Sequence, residues 1–203
     1  MPDRDQKPLS TKQATSRELD DALEDTFPAS DPPSMTSPMA ATPSSDVIAE
    51  APGPLRVYRV VEAAHASEPF APIDRGGRWT PAGSACVYTS LSPACALLEY
   101  LAHMETGAPE QPLLLAVATA PAGTTLAECN EPSTWRQLPY RNEVQRVGED
   151  WLQSCRSLAL RVPSAVCDGE TNLLLNPDHP GFGALQLQEL RPLVLDPRLR
   201  RES

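Results

Sequence analysis

Ala85-Cys86-Val87-Tyr88-Thr89-Ser90-Leu91-Ser92-Pro93-Ala94-Cys95-Ala96-Leu97-Leu98-Glu99-Tyr100-Leu101-Ala102-His103-Met104-Glu105 changes its period halfway along. Residues 85–89 are rich in β-formers and read as a strand. Ser92 then offers an N-cap oxygen and Pro93 suits the first helical position, so the spacing predicts a helix from there to about Glu105. Upstream, Leu55-Arg56-Val57-Tyr58-Arg59-Val60-Val61 alternates apolar and polar residues and reads as another strand, followed by a turn at Gly76-Gly77. Downstream, residues 112–119 form an apolar strand bounded by prolines. A helix is expected from about Tyr140 to Cys155, striped by Val144, Val147, Trp151 and Leu152. Shorter strands are expected at Ser157–Val162, Asn172–Leu175 and Gln186–Leu195. Strands outnumber helices and are too unevenly spaced for repeating βαβ units, so the expected class is α+β, one compact mixed domain over residues 55–199. No internal repeat of the length that builds solenoids is visible.

Residues 1–54 differ in composition. They hold nine of the 23 prolines, a dozen Ser and Thr, one aromatic, and ten acids against four bases, which is −6 of the total −10. Such a segment buries too little apolar surface to fold alone and is expected to be a disordered extension. Within it, Thr15-Ser16-Arg17-Glu18 has the form of a capping box. Leu19, Leu23 and Phe27 follow at helical spacing up to Pro28, giving a short amphipathic helix at 16–27 that is either transient or a docking element.

Composition also excludes. Dense proline rules out a long-helix protein. A pI near 4.7 argues against direct nucleic-acid binding, which normally leaves a basic footprint. No apolar run reaches the roughly 20 residues of a membrane span, and no signal peptide is apparent, so a soluble cytoplasmic protein is expected. The five cysteines, Cys86, Cys95, Cys129, Cys155 and Cys167, are odd in number and without a CxxC pair, as in a reduced chain. They and the three histidines show no metal-ligand spacing, so no metal is expected.

Several residues are candidates for chemistry. Glu99 lies amid apolar neighbours on its helix, where a carboxylate is either at a solvated edge, or paired, or catalytic. Arg56, Arg59, Arg75 and Arg78 fall within 23 residues around Gly76-Gly77, a local positive site able to grip phosphate oxygens. Tyr88 could stack on a flat heterocycle or fill the core. Ser164 follows Pro163 without a GxSxG elbow, against a serine hydrolase. Neither GxGxxG nor GxxxxGK[ST] occurs.

Taken in order, Tyr58-Arg59, Gly76-Gly77-Arg78-Trp79, Val87-Tyr88-Thr89-Ser90, Leu98-Glu99, Val162-Pro163-Ser164, Leu175-Asn176-Pro177 and Leu195-Asp196-Pro197-Arg198-Leu199 resemble the RES domain family across about residues 55–199. The resemblance implies a fold similar to the ADP-ribosyltransferase toxins and the toxin half of a bacterial toxin–antitoxin pair. It implies a catalytic set of Glu99, Arg78 and Tyr88, and an NAD-binding set of Arg59, Arg78, Tyr88 and Ser164. Asn176 lies in a matching Asn-Pro motif without an assigned role.

NAD is then a substrate rather than a cofactor, cleaved at the nicotinamide–ribose bond by hydrolysis or, with inorganic phosphate as co-substrate, by phosphorolysis. An alternative on the same fold is ADP-ribosyl transfer to a protein; another is a catalytically silent binding domain. The implied partner is an Xre-type antitoxin that blocks the pocket and carries any DNA contact, and a homodimer stays open.

Overall fold

The computed structural model describes residues 48–104, 109 and 111–199. The helix expected at 16–27 lies outside them. Eight strands form one sheet: β1 Ile48–Glu50, β2 Leu55–Glu62, β3 Val87–Ser90, β4 Leu113–Ala120, β5 Thr125–Glu128, β6 Ala159–Pro163, β7 Thr171–Leu175 and β8 Gln186–Leu193. Their spatial order is β1-β5-β6-β7-β3-β2-β4-β8. Helix α1 spans Pro93–His103 and α2 spans Asn142–Ser154. The class is α+β, as the uneven spacing of strands and helices predicts.

β5 and β6 pair in parallel and are connected through α2, whereas the other neighbours are antiparallel. A parallel pair needs a crossover, and α2 supplies it. The expectation that the folded part begins at Leu55 needs correction. Ile48–Glu50 pairs with Thr125–Ala127, and Ala51 is buried. Three residues followed by Pro52 and Pro54 carry no strand pattern of their own; their partner β5 decides their conformation. β5 itself was absent from the expected strands, being only four residues long.

Alternation along the strands gives the sheet two distinct faces. On one, Val57, Val87, Ala118, Ala159, Leu173 and Leu175 form a core covered by Phe70, Phe182 and Leu185 from loops. The other face carries both helices. Val60, Leu115 and Val117 pack with Ala96 of α1, while Leu160, Val162 and Leu174 pack with Val144 and Trp151 of α2. α1 begins as the sequence requires: the Ser92 Oγ accepts from the Cys95 N–H at 3.2 Å, with Pro93 at the first helical position. Asn176 is fully buried and joins these layers. Its Nδ2 donates to the Leu152 carbonyl at the end of α2, and its Oδ1 accepts from the Asp178 N–H. That gives the Asn-Pro motif a structural role.

Candidate active site

Glu99 stands in the middle of α1, half-buried and facing the sheet. Its Oε1 accepts two hydrogen bonds, from Ser164 Oγ at 2.7 Å and from Asn172 Nδ2 at 2.6 Å. Among the described residues its Oε2 accepts none. Of the readings the sequence left open, the structure shows pairing: among the described residues the half-buried carboxylate is bonded through Oε1.

The sheet explains the meeting. Asn172 is the Cα partner of both Ser90 on β3 and Val162 on β6. Its side chain lies on the helix-bearing face, two residues before Leu174. Ser164 lies just beyond β6 and two residues after Val162, and it points the same way. Ser164 is 1% exposed. Its hydroxyl, besides donating to Glu99, accepts from the N–H groups of Val166 and Cys167 at 3.2 and 3.0 Å. One donor and two acceptor sites are all a serine hydroxyl has. Ser164 is thus committed to the carboxylate and to its own turn. Glu170 ties the same turn to the start of α1, because Ser92 Oγ donates to its Oε2 at 2.9 Å.

Tyr88 shares this face, two residues before Ser90. Its hydroxyl bonds Thr80 Oγ1 at 2.8 Å. Burial holds the phenol well above the ordinary tyrosine range, with the Thr80 bond acting in the opposite sense. The turn at 76–80 is clamped beside it. A Cβ on Gly77 would lie 2.9 Å from the Tyr88 hydroxyl, and a Cβ on Gly148 of α2 would lie 2.0 Å from the Trp79 carbonyl. Gln145 of α2 donates to the carbonyls of Gly77 and Thr80. Two glycines and one glutamine therefore let strand, turn and helix approach closely enough to bury Trp79.

The two expected arginines go to different places. Arg78, at the clamped turn, donates through Nη1 to the carbonyls of Trp135 at 2.6 Å and Gln137 at 3.3 Å. Its guanidinium lies 4.9 Å from the centre of the Tyr140 ring. Trp135 stacks on Trp79 at 5.8 Å between centroids, so the 135–140 segment closes over Arg78. Arg59 is not brought to the Glu99 group. It alternates with Tyr58 and shares the side of Val57, across the sheet from α1. There its Nη1 donates to the carbonyls of Pro69 and Ala71 at 3.2 and 2.8 Å. Burial, and then the Arg75 charge, lower its guanidinium to about 10.

Asn172 is the member of the group that motif reading did not select. Two clefts of about 220 and 200 Å³, one beside Trp151 and Ile48 and one beside Arg161 and Glu131, contain none of Glu99, Tyr88 or Arg78. Among the described residues no three His, Cys, Asp or Glu side chains converge as metal ligands, and no helix is long and apolar enough to cross a membrane.

Comparisons with known proteins show which family the chain resembles. The chain is 35% identical over 133 residues to the Prs ADP-ribosylating toxin of a Sphingobium species, covering 63% of this chain and 83% of that one. It is 35% identical over 129 residues to a Toxin Res of Yersinia enterocolitica, covering 62% and 84%. Among solved structures, the crystal structure of the M. tuberculosis MbcT–MbcA toxin–antitoxin complex matches with a TM-score of 0.47 at 15% identity, covering 71% of this chain and 86% of that one. The RES domain model matches residues 56–196, from the second residue of β2 to the Asp196 turn. That span takes in Glu99, Ser164, Asn172, Tyr88 and both arginines, and the chain belongs to the RES domain family.

Proposed function

We propose that this chain is the toxin of a toxin–antitoxin pair and an enzyme that cleaves NAD at the bond between nicotinamide and ribose. The observation that carries the reading is the asymmetry of Glu99: Oε1 accepts from Ser164 and Asn172, and among the described residues Oε2 accepts from none. Loss of nicotinamide develops positive charge on the ribose, as in the oxocarbenium-like transition states of glycoside hydrolysis. A carboxylate already held in place stabilises that charge without reorganising during the step, which is where electrostatic catalysis gains most. Its other oxygen then accepts from a ribose hydroxyl.

In this reading Tyr88 flanks the nicotinamide end and Ser164 serves the substrate indirectly, through Glu99. Arg78 takes the diphosphate by exchanging the Trp135 and Gln137 carbonyls for phosphate oxygens, a stronger charge-assisted contact. The resemblance gives Arg59 the same task; in its present position it anchors the 69–71 loop. The acceptor completes the balance: water yields ADP-ribose and a proton, and phosphate yields phosphorylated ADP-ribose. Transfer of ADP-ribose to a protein side chain is the second reading, favoured by the name of the Sphingobium relative. An Xre-type antitoxin that occludes the site, a cytoplasmic location and the absence of any bound cofactor belong to the same proposal.

The test is incubation of the full chain with NAD, with and without phosphate, followed by separation of products. One nicotinamide released per NAD consumed is expected. A labelled adenylate moiety appearing in protein would move the assignment to the transferase. NAD unchanged under every condition, with no labelled protein, would overturn both readings.

A further inference from the structure

Asn172 lies 73 residues from Glu99 in sequence, yet their side chains meet at 2.6 Å. A carboxylate only accepts, so the amide must turn its NH2 toward Glu99 and its oxygen away. On the far side that oxygen meets two groups able to donate, the Ser90 hydroxyl at 2.6 Å and the Cys95 thiol at 3.5 Å. The amide orientation therefore follows from chemistry on both sides. Its backbone is also held: β7 lies inside the sheet, between β6 and β3, with Asn172 paired on both flanks. Ser164, by contrast, sits in a turn beyond the end of β6.

Glu99 is long and rotatable, and a carboxylate that must meet a ribose cannot wander by an ångström. We propose that Asn172, oriented by Ser90, is a positioning residue that holds the Glu99 carboxylate through Oε1 and thereby presents Oε2 to the substrate's ribose. The proposal rests on the NAD-cleaving reading above. It assigns Asn172 no contact with substrate, so its removal acts on turnover rather than on NAD binding.

The experiment compares the full-length wild type with Asn172→Ala, Asn172→Asp and Ser90→Ala in NAD consumption across pH. Misplacement of a reacting group by about 1 Å costs on the order of 100-fold. Asn172→Ala is expected to lower kcat by about 10- to 100-fold while KM stays within about threefold. Asn172→Asp sets two carboxylates face to face and is expected to lose more near pH 7. It recovers on the acid side, where the new carboxyl takes a proton and donates it to Glu99 as an O–H bond. The titratable groups around this point are Glu99 and Cys95 from α1, Tyr88 from β3 and Glu170 before β7. All of them are present in the wild type as well, so an acid-side recovery seen only in the aspartate variant belongs to residue 172.

Ser90→Ala removes the outer bond and should give a smaller loss of the same kind, which keeps the test open if the residue 172 variants fold poorly. A kcat for Asn172→Ala within twofold of wild type, or a wild-type pH profile for Asn172→Asp, would overturn the proposal. The contact has a readout independent of turnover: the Asn172 side-chain NH2 resonances should move in Glu99→Ala. If wild type leaves NAD untouched, the NAD reading falls by itself, and unmoved resonances would then refute the Asn172–Glu99 coupling separately.

Discussion

Glu99 shows how one side chain is turned into a directed group. Two donors meet on Oε1, and in the proposed reaction the second oxygen is the one that faces the ribose. Replacing Glu99 by Gln keeps the size but removes the charge, and would turn an amide NH2 either toward Ser164 and Asn172 or toward the substrate. Nicotinamide release should fall by about 100-fold or more, with the melting temperature little changed. The arginines separate by the same logic. Arg78→Ala should raise the KM for NAD, because Arg78 stands in the clamped turn and its present partners are exchangeable carbonyls. Arg59→Ala should act mainly on stability, because it strips two bonds from the partly buried 69–71 loop across the sheet. Thermal melts alongside Michaelis curves for the two variants check this directly, and a KM effect confined to Arg59 would reverse the assignment. Glu99, Tyr88 and Ser164 were legible because they stand in an ordered series of local motifs. Asn172 was not. A single Asn at the head of Asn-Leu-Leu-Leu reads as the start of a strand, and its importance comes from a register, Ser90 opposite Asn172, that no local pattern contains.

Helix α1 holds the Glu99 carboxylate at a set height above the sheet, and Ser92 determines where the helix starts. The Ser92 hydroxyl caps the Cys95 N–H and donates to Glu170 at once, so Ser92→Ala should cost about 1 kcal/mol of stability. Gly148 is a sharper case. Any side chain there meets the Trp79 carbonyl at 2.0 Å, and backbone cannot move aside as a side chain can. Gly148→Ala is expected to push α2 off the 76–80 turn and destabilise the fold by more than Ser92→Ala, with loss of Trp79 burial seen in tryptophan fluorescence. The long elements were readable because their periodicity spans several turns or pleats. β5 was not, since Thr125-Leu126-Ala127-Glu128 is too short to set a period between Gly123 and Asn130. β8 was readable, yet only the structure shows how its free edge is guarded. A bulge where β4 passes Val117 and Ala118, with Glu189, Arg191 and Pro192 along the strand, makes a poor template for another chain's backbone.

At the scale of the chain, residues 1–54 carry −6 of the −10 charge, and composition placed the edge of the fold at Leu55. The sheet moves that edge. Ile48–Glu50 is its first strand, Ala51 is 5% exposed, and its N–H and carbonyl bond Thr124 and Gly123 at 2.9 and 3.0 Å. Composition could not find this, because Pro52 and Pro54 interrupt the apolar signal just before the unmistakable strand β2. Removing β1 would expose Leu126 and Ala127 at a new sheet edge and leave the backbone of β5 unpaired on one side. A chain beginning at Leu55 should therefore melt lower than one beginning at Pro43, by on the order of 5 °C, corresponding to about 1–2 kcal/mol for a domain of this size. The Glu99 group rests on β3 and β7, with β5 and β6 between β7 and β1. Activity per folded molecule at a temperature where both chains are native should accordingly match between the two. Equal melting temperatures would mean that β1 is an ornament of the edge. A loss of activity without a loss of stability would mean that residues 43–54 reach the substrate.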